Sequence, residues 1–194
     1  MEYKIYQSNL IVKNHRAFVE NCSILYNYII KTYNVPDTTW AYDKYNTFSL
    51  TSGSVLFYKL YKELNYHIRS FIADDRPMWI NSWLNYHPNT DILDQTLGKE
   101  KHFHGHTSMN HGYISIDPQD TTTKFRNGLE VKNKIGQIYM GPGNQNKIGE
   151  NGEWDHFVES LSFSSIPRIT IGFDLMENKY DFNPERQLPL IPLL

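Results

Sequence analysis

Arg168-Ile169-Thr170-Ile171-Gly172-Phe173-Asp174-Leu175 decides the reading of this chain. In an extended backbone Ile169, Ile171 and Phe173 fall on one face, and Arg168, Thr170 and Gly172 on the other. One face is built for a core; the other carries an arginine beside a glycine that leaves room for a ligand. Short strand-like segments precede it at 99–104, 112–117, 122–127, 129–132, 135–140 and 155–163, with this one covering 168–176. Turn-forming residues separate them: Asp117-Pro118, Asn127-Gly128, Gly141-Pro142-Gly143, and Gly149 with Gly152. Asn127-Gly128, between Phe125 and Leu129, predicts a hairpin with a two-residue loop. No long helix is interleaved, which argues against a parallel α/β sheet and for a sandwich or barrel.

Upstream the pattern is mixed. Residues 3–12 read as a first strand with Tyr3, Ile5, Leu10 and Val12 inward. Phe18, Cys22, Leu25 and Ile29 recur at helical spacing, so a helix is expected over 15–31, with Asn14 as its cap and Pro36 beyond its end. Residues 37–51 suit a packed loop as well as a short strand. A second helix starts from Ser52 or Ser54, follows Leu56, Leu60, Leu64, Ile68 and Phe71 or Ile72, and stops at Asp74, Asp75 and Pro77. Residues 78–84 alternate as a strand, Met78, Ile80 and Ser82 against Trp79, Asn81 and Trp83. The two tryptophans form an aromatic wall, open to reading as core or as substrate surface. The proline-broken apolar tail is expected to lie extended against the domain or a neighbouring subunit. The chain reads as one domain, 1–194: a helical/β buttress (1–95), a β core (96–180) and a tail (181–194).

With a formal charge of −2 over 194 residues, no global field steers a polyanion, which disfavours a nucleic-acid track. The single cysteine, Cys22, supports no disulfide scaffold. There is neither a bilayer-length apolar run nor a signal-peptide core, so a soluble, cytoplasmic protein without membrane association is expected.

The chemistry is densest at His102-Phe103-His104-Gly105-His106. On a strand these three imidazoles share a face, and imidazole binds Zn, Fe, Ni or Cu. His156, after a glycine-rich stretch, is a candidate third arm. Arg168 follows on the polar face of its strand, suited to a bidentate grip on a carboxylate, with an ion pair to Asp174 or Glu159 as the plain alternative. His111 reads as a surface or supporting residue. His15, His67 and His87 read as isolated surface or helix-face residues.

In that order, HxH, then Asn110-His111-Gly112-Tyr113-Ile114, then Gly136 through Pro142, then His156, then Arg168 in PRITIGFDL, the chain resembles the iron(II)- and 2-oxoglutarate-dependent dioxygenases, in a bacterial and phage branch with an HxH motif. The resemblance covers about 99–176. It implies a double-stranded β-helix (jelly roll), mainly β with N-terminal helices, and a hydroxylase using Fe(II), 2-oxoglutarate and O2. It also implies His102, His104 and His156 as metal ligands, with His106 as the alternative if the register shifts by two. Arg168 would bind the far carboxylate, helped by Tyr113 or Thr170; Trp79, Trp83 and Tyr139 would line a substrate pocket. The wider superfamily places an acidic residue where this chain has His104. The implied substrate is a small molecule or a protein side chain, in a bacterial or phage-infected cytoplasm, and the apolar tail suggests a homodimer. Two other readings stand beside this one: a cupin-like metalloenzyme that does not use 2-oxoglutarate, and a jelly-roll structural or binding protein, phage-encoded or not, with a structural metal or none.

Overall fold

The computed structural model describes residues 2–35, 41, 43–88, 108–143, 152–160, 165–177 and 189–193. His102, His104 and His106, and most of the stretch before His156, lie outside the described residues.

The chain begins with β1 (Lys4–Gln7), α1 (Asn9–Lys13), α2 (His15–Tyr33), α3 (Thr47–Leu50) and α4 (Val55–Ile72). It continues with β2 (Trp79–His87), β3 (Asn110–Asp117), β4 (Thr121–Phe125), β5 (Glu130–Lys132), β6 (Gln137–Pro142), β7 (His156–Ser160), β8 (Arg168–Met176) and β9 (Ile191–Pro192). A six-stranded sheet runs β1-β6-β3-β8-β2-β9 and a three-stranded sheet β5-β4-β7, with every pairing antiparallel. From β3 to β8 the chain passes back and forth between the two sheets, to β4 and β5, back to β6, over to β7 and back to β8, as in a jelly roll. The expected class, mainly β with N-terminal helices in a double-stranded β-helix, is the one found.

One face of the large sheet is apolar for the reason the sequence gives, strict alternation. Ile80 and Leu84 of β2, Ile114 and Ile116 of β3, Ile138 and Met140 of β6, and Ile169, Ile171, Phe173 and Leu175 of β8 are all buried. They form one cluster with Phe18, Cys22, Leu25 and Ile29 of α2 and Phe57, Leu60, Leu64, Ile68 and Phe71 of α4. These are the predicted helix stripes, except that Phe57 rather than Leu56 points fully inward. Cys22 is completely buried among them, and burial pushes its thiol up to about 12. Ser54 caps α4 by accepting from the Phe57 N–H at 3.4 Å. Gly112 lies cross-strand from Phe173, and a Cβ on it would meet the Phe173 ring at 2.2 Å. The ring fills the space a side chain would take.

Three expectations are corrected. Residues 3–12 are not one strand: Ser8 stops β1 after four residues and caps α1 through the Ile11 N–H at 3.3 Å, while its hydroxyl donates to Glu63 on α4 at 2.7 Å. Ile11, rather than Leu10 or Val12, is buried. Asn14 precedes α2 without a side-chain cap, its amide instead donating to the Leu10 carbonyl at 2.9 Å. The β4–β5 connection is a three-residue loop. Gly128 N–H bonds to the Phe125 carbonyl at 3.0 Å with Gly128 at φ +89°, and Phe125 N–H bonds to the Leu129 carbonyl at 2.8 Å. That is a turn followed by a glycine bulge. The described end of the tail forms β9 on β2, with the Leu193 N–H bonded to the Met78 carbonyl at 2.9 Å.

Candidate active site

The second face of the large sheet looks toward the small one, and strand register arranges it in rows. Asp174 of β8 lies beside His111 of β3, which lies beside Gly141 of β6. The next row holds Trp83, Gly172, Tyr113 and Tyr139, and the next Asn85, Thr170 and Ser115. The last row pairs His87 with Arg168. From the small sheet Thr121, Thr123 and Phe125 of β4 and His156 of β7 are buried.

At one end, the His156 ring stacks on His111 with centroids 4.9 Å apart and packs on Phe125 at 5.3 Å. His156 Nδ1 lies 3.3 Å from the Trp154 carbonyl oxygen. His111 is sandwiched from the other side by Trp83 at 6.0 Å. Gly172 makes this possible, since a Cβ there would come within 2.6 Å of the Trp83 indole. His111 Nδ1 is 2.9 Å from Asp174 Oδ1, which also accepts from the Ser108 hydroxyl at 2.9 Å. A carboxylate only accepts, so this pairing holds a proton on Nδ1 and fixes the ring's orientation.

The middle is aromatic. Tyr113 and Tyr139 stack at 5.1 Å, and Tyr139 packs on Phe125 at 5.0 Å. The Tyr113 hydroxyl donates to Asn133 Oδ1 at 2.9 Å. The Asn133 amide reaches Thr121 at 3.1 Å and Thr123 at 3.2 Å, tying the two sheets together. Burial raises the Tyr113 phenol, opposed in part by the Thr123 hydrogen bond and by the charge of Arg168.

At the far end Arg168 is buried, and its Nε has no hydrogen-bond partner among the described residues. Burial lowers its guanidinium to about 10. Neither carboxylate proposed for it is engaged: Asp174 belongs to His111 and Ser108, and Glu159 pairs with Lys124 at 2.8 Å. Six residues along a strand separate Arg168 from Asp174, roughly 20 Å. A buried guanidinium with no carboxylate beside it among the described residues is expensive by itself. It fits an anionic ligand.

Of the sequence-derived candidates, His156, Arg168, Tyr113, Thr170, Trp83 and Tyr139 share this inner space. Trp79 lies on the same face of β2 but at its other end, opposite Met176, beside β9. Thr170 accepts from Asn85 at 3.4 Å. Among the described residues no three His, Cys, Asp or Glu side chains form a metal cluster; the HxH stretch lies outside them. One reading is overturned. His87 is not an isolated surface residue: it is half-buried, with its Nδ1 covered, directly across from Arg168. Sequence reasoning also missed Asp174 and Asn133. Asp174 was readable as the next residue on the Arg168-Thr170-Gly172 face; nothing local marks Asn133.

No protein-family model and no curated protein matches the chain. Solved structures do. A truncated form of a viral collagen prolyl hydroxylase from Paramecium Bursaria Chlorella virus-1 superposes with a TM-score of 0.54 at 12% identity, over 92% of this chain and 91% of that one. A full-length Neurospora crassa protein in complex with alpha-KG and 5-formyluracil superposes with a TM-score of 0.51 at 10% identity, over 98% and 82%. The fold is the double-stranded β-helix. At such identities the likeness is one of architecture alone. No helix among the described residues is long and apolar enough to cross a membrane.

Proposed function

We propose that the protein is an Fe(II)- and 2-oxoglutarate-dependent oxygenase that hydroxylates a C–H bond of a small molecule or a protein side chain. The observation that carries this reading is Arg168: a buried guanidinium, without a carboxylate partner among the described residues, at one end of the inner space that holds His156. The similar structures include a prolyl hydroxylase and a protein solved with alpha-KG, which is 2-oxoglutarate.

In this reading His156, with His102 and His104 (or His104 and His106), holds the iron. Bound iron and 2-oxoglutarate supply the oxidising chemistry, drawing on O2. The chain's own residues bind, orient and exclude water. Arg168 neutralises the far carboxylate of 2-oxoglutarate, a charge-assisted contact strengthened by the dry surroundings. Tyr113, held by Asn133, and Thr170 line the path between Arg168 and His156. His111, oriented by Asp174, keeps the His156 ring stacked, and Trp83 closes that side against water. No poised carboxylate base is required for hydrogen abstraction.

The test is anaerobic titration with Fe(II) and 2-oxoglutarate, following the visible metal-to-ligand charge-transfer band. Wild type develops the band, His156→Ala does not, and Arg168→Ala needs far more 2-oxoglutarate. A wild-type protein that binds Fe(II) but gives no band at saturating 2-oxoglutarate defeats the proposal.

A further inference from the structure

His87 and Arg168 stand directly opposite each other in the β2–β8 register, with side chains on the inner face. Each buries a ring or guanidinium nitrogen that finds no hydrogen-bond partner among the described residues: His87 Nδ1 and Arg168 Nε. These are two orphaned nitrogens on cross-strand partners, with no acceptor supplied by the described residues, and a group with two acceptor oxygens would satisfy both.

We infer that His87 is a second anchoring residue for the far carboxylate of a 2-oxo dicarboxylic acid, and that its ring takes up a proton as that carboxylate binds. This rests on the proposed oxygenase reading and extends it to a residue which that reading leaves idle. The driving force is local. Burial first and the neighbouring Arg168 charge second keep the ring neutral, lowering its pKa from 6.5 to about 3. A carboxylate on Arg168 cancels that repulsion and places a negative charge beside the imidazole, which favours the imidazolium. Binding and protonation then reinforce each other, so dicarboxylate affinity rises as pH falls. A 2-oxo acid without the far carboxylate gains nothing.

The other described groups around the ring leave this logic intact. Along β8 the next charged inner-face group, Asp174, is at the opposite end and engaged with His111. β3 contributes Tyr113, whose phenol is pushed up and stays neutral. The small sheet turns Thr121 and Thr123 inward from β4 and His156 from β7, while Lys124 and Glu159 pair with each other. On the far face of β2, Tyr86 stacks on Tyr26 of α2 at 4.2 Å.

The experiment is calorimetric titration of the Mn(II)-loaded protein with 2-oxoglutarate and, separately, with pyruvate. It is run at pH 6 and pH 8, in buffers of differing ionisation enthalpy, on wild type, His87→Gln and Arg168→Ala. In wild type 2-oxoglutarate binding takes up a proton at pH 6 and tightens from pH 8 to pH 6 relative to His87→Gln, by about tenfold per pH unit at most. His87→Gln binds 2-oxoglutarate more weakly at pH 6, loses the proton uptake, and binds pyruvate as wild type does. The metal ligands titrate alike in both proteins, so the difference isolates His87. The wild-type proton count needs no variant and stands even if His87→Gln folds poorly. If wild type binds 2-oxoglutarate, Arg168→Ala does not, and His87→Gln matches wild type in affinity and proton count, this inference alone fails. If wild type binds no 2-oxoglutarate with either Mn(II) or Fe(II), the oxygenase reading fails with it.

Discussion

The two faces of the six-stranded sheet are made by the same strands, yet follow different rules. The face under α2 and α4 is almost purely aliphatic and aromatic, and each side chain is interchangeable in kind with its neighbours. The inner face, one residue out of phase along every strand, carries Asp174, His111, Tyr113, Thr170, His87 and Arg168. Hydrophobic burial is non-directional, so the outer face stores stability. Polar groups under cover demand particular partners, so the inner face stores specificity and, in the proposed reading, ligand affinity. The two functions should therefore come apart under mutation.

The hardest test of the outer face is Phe173→Ala, which empties the space beside Gly112. It should cost about 3–5 kcal/mol in denaturant unfolding while leaving 2-oxoglutarate affinity of the folded fraction unchanged. The converse on the inner face is Arg168→Met. It should weaken 2-oxoglutarate binding by at least about thirtyfold and yet leave thermal stability equal or higher, because an unpaired buried charge is replaced by an apolar side chain of similar reach. A marked fall in Tm would mean that Arg168 belongs to the scaffold.

Asn133→Ala sharpens the boundary, since its amide joins Tyr113 to Thr121 and Thr123 across the two sheets. It should lose about 1–3 kcal/mol, and 2-oxoglutarate affinity should fall with it as Tyr113 comes loose. An effect of a different kind, growing with acidity, is destabilisation from His87. Its pKa is depressed on folding, so the unfolded chain binds the proton first. Stability from this group is intact above about pH 6.5 and drains away as pH falls toward 3. The slope is at most about 1.4 kcal/mol per pH unit. Unfolding curves of ligand-free wild type and His87→Gln between pH 7 and pH 4 should diverge by that slope; parallel curves would remove the buried neutral imidazole from the account.

The outer face was legible in the sequence because period alone writes it. Ile169, Ile171 and Phe173 alternate, and Phe18, Cys22, Leu25 and Ile29 recur every three or four residues, with no knowledge of partners required. The same alternation set Arg168 and Thr170 on the opposite side. What it could not carry was register. His87 and His111 look solitary in the chain; His87 becomes the neighbour of Arg168, and His111 that of Asp174, only when β2, β3 and β8 align. Residues 8–13 misled for a local reason: Leu10 and Val12 keep the rhythm of Tyr3 and Ile5, while Ser8, a helix starter, interrupts it. At Asn127-Gly128 the turn was evident from its residues, and its length was decided by how Phe125 and Leu129 pair.

Cys22 turns the outer face into a clock. Its thiol sits at zero exposure between α2 and the sheet, and the thiolate that reacts with alkylating reagents is suppressed further by the upward pKa shift. Labelling can proceed only when α2 lifts away, so the alkylation rate counts how often the helical cover opens. Ligands seated on the opposite side of the sheet should slow that clock to the extent that they bind only the closed fold.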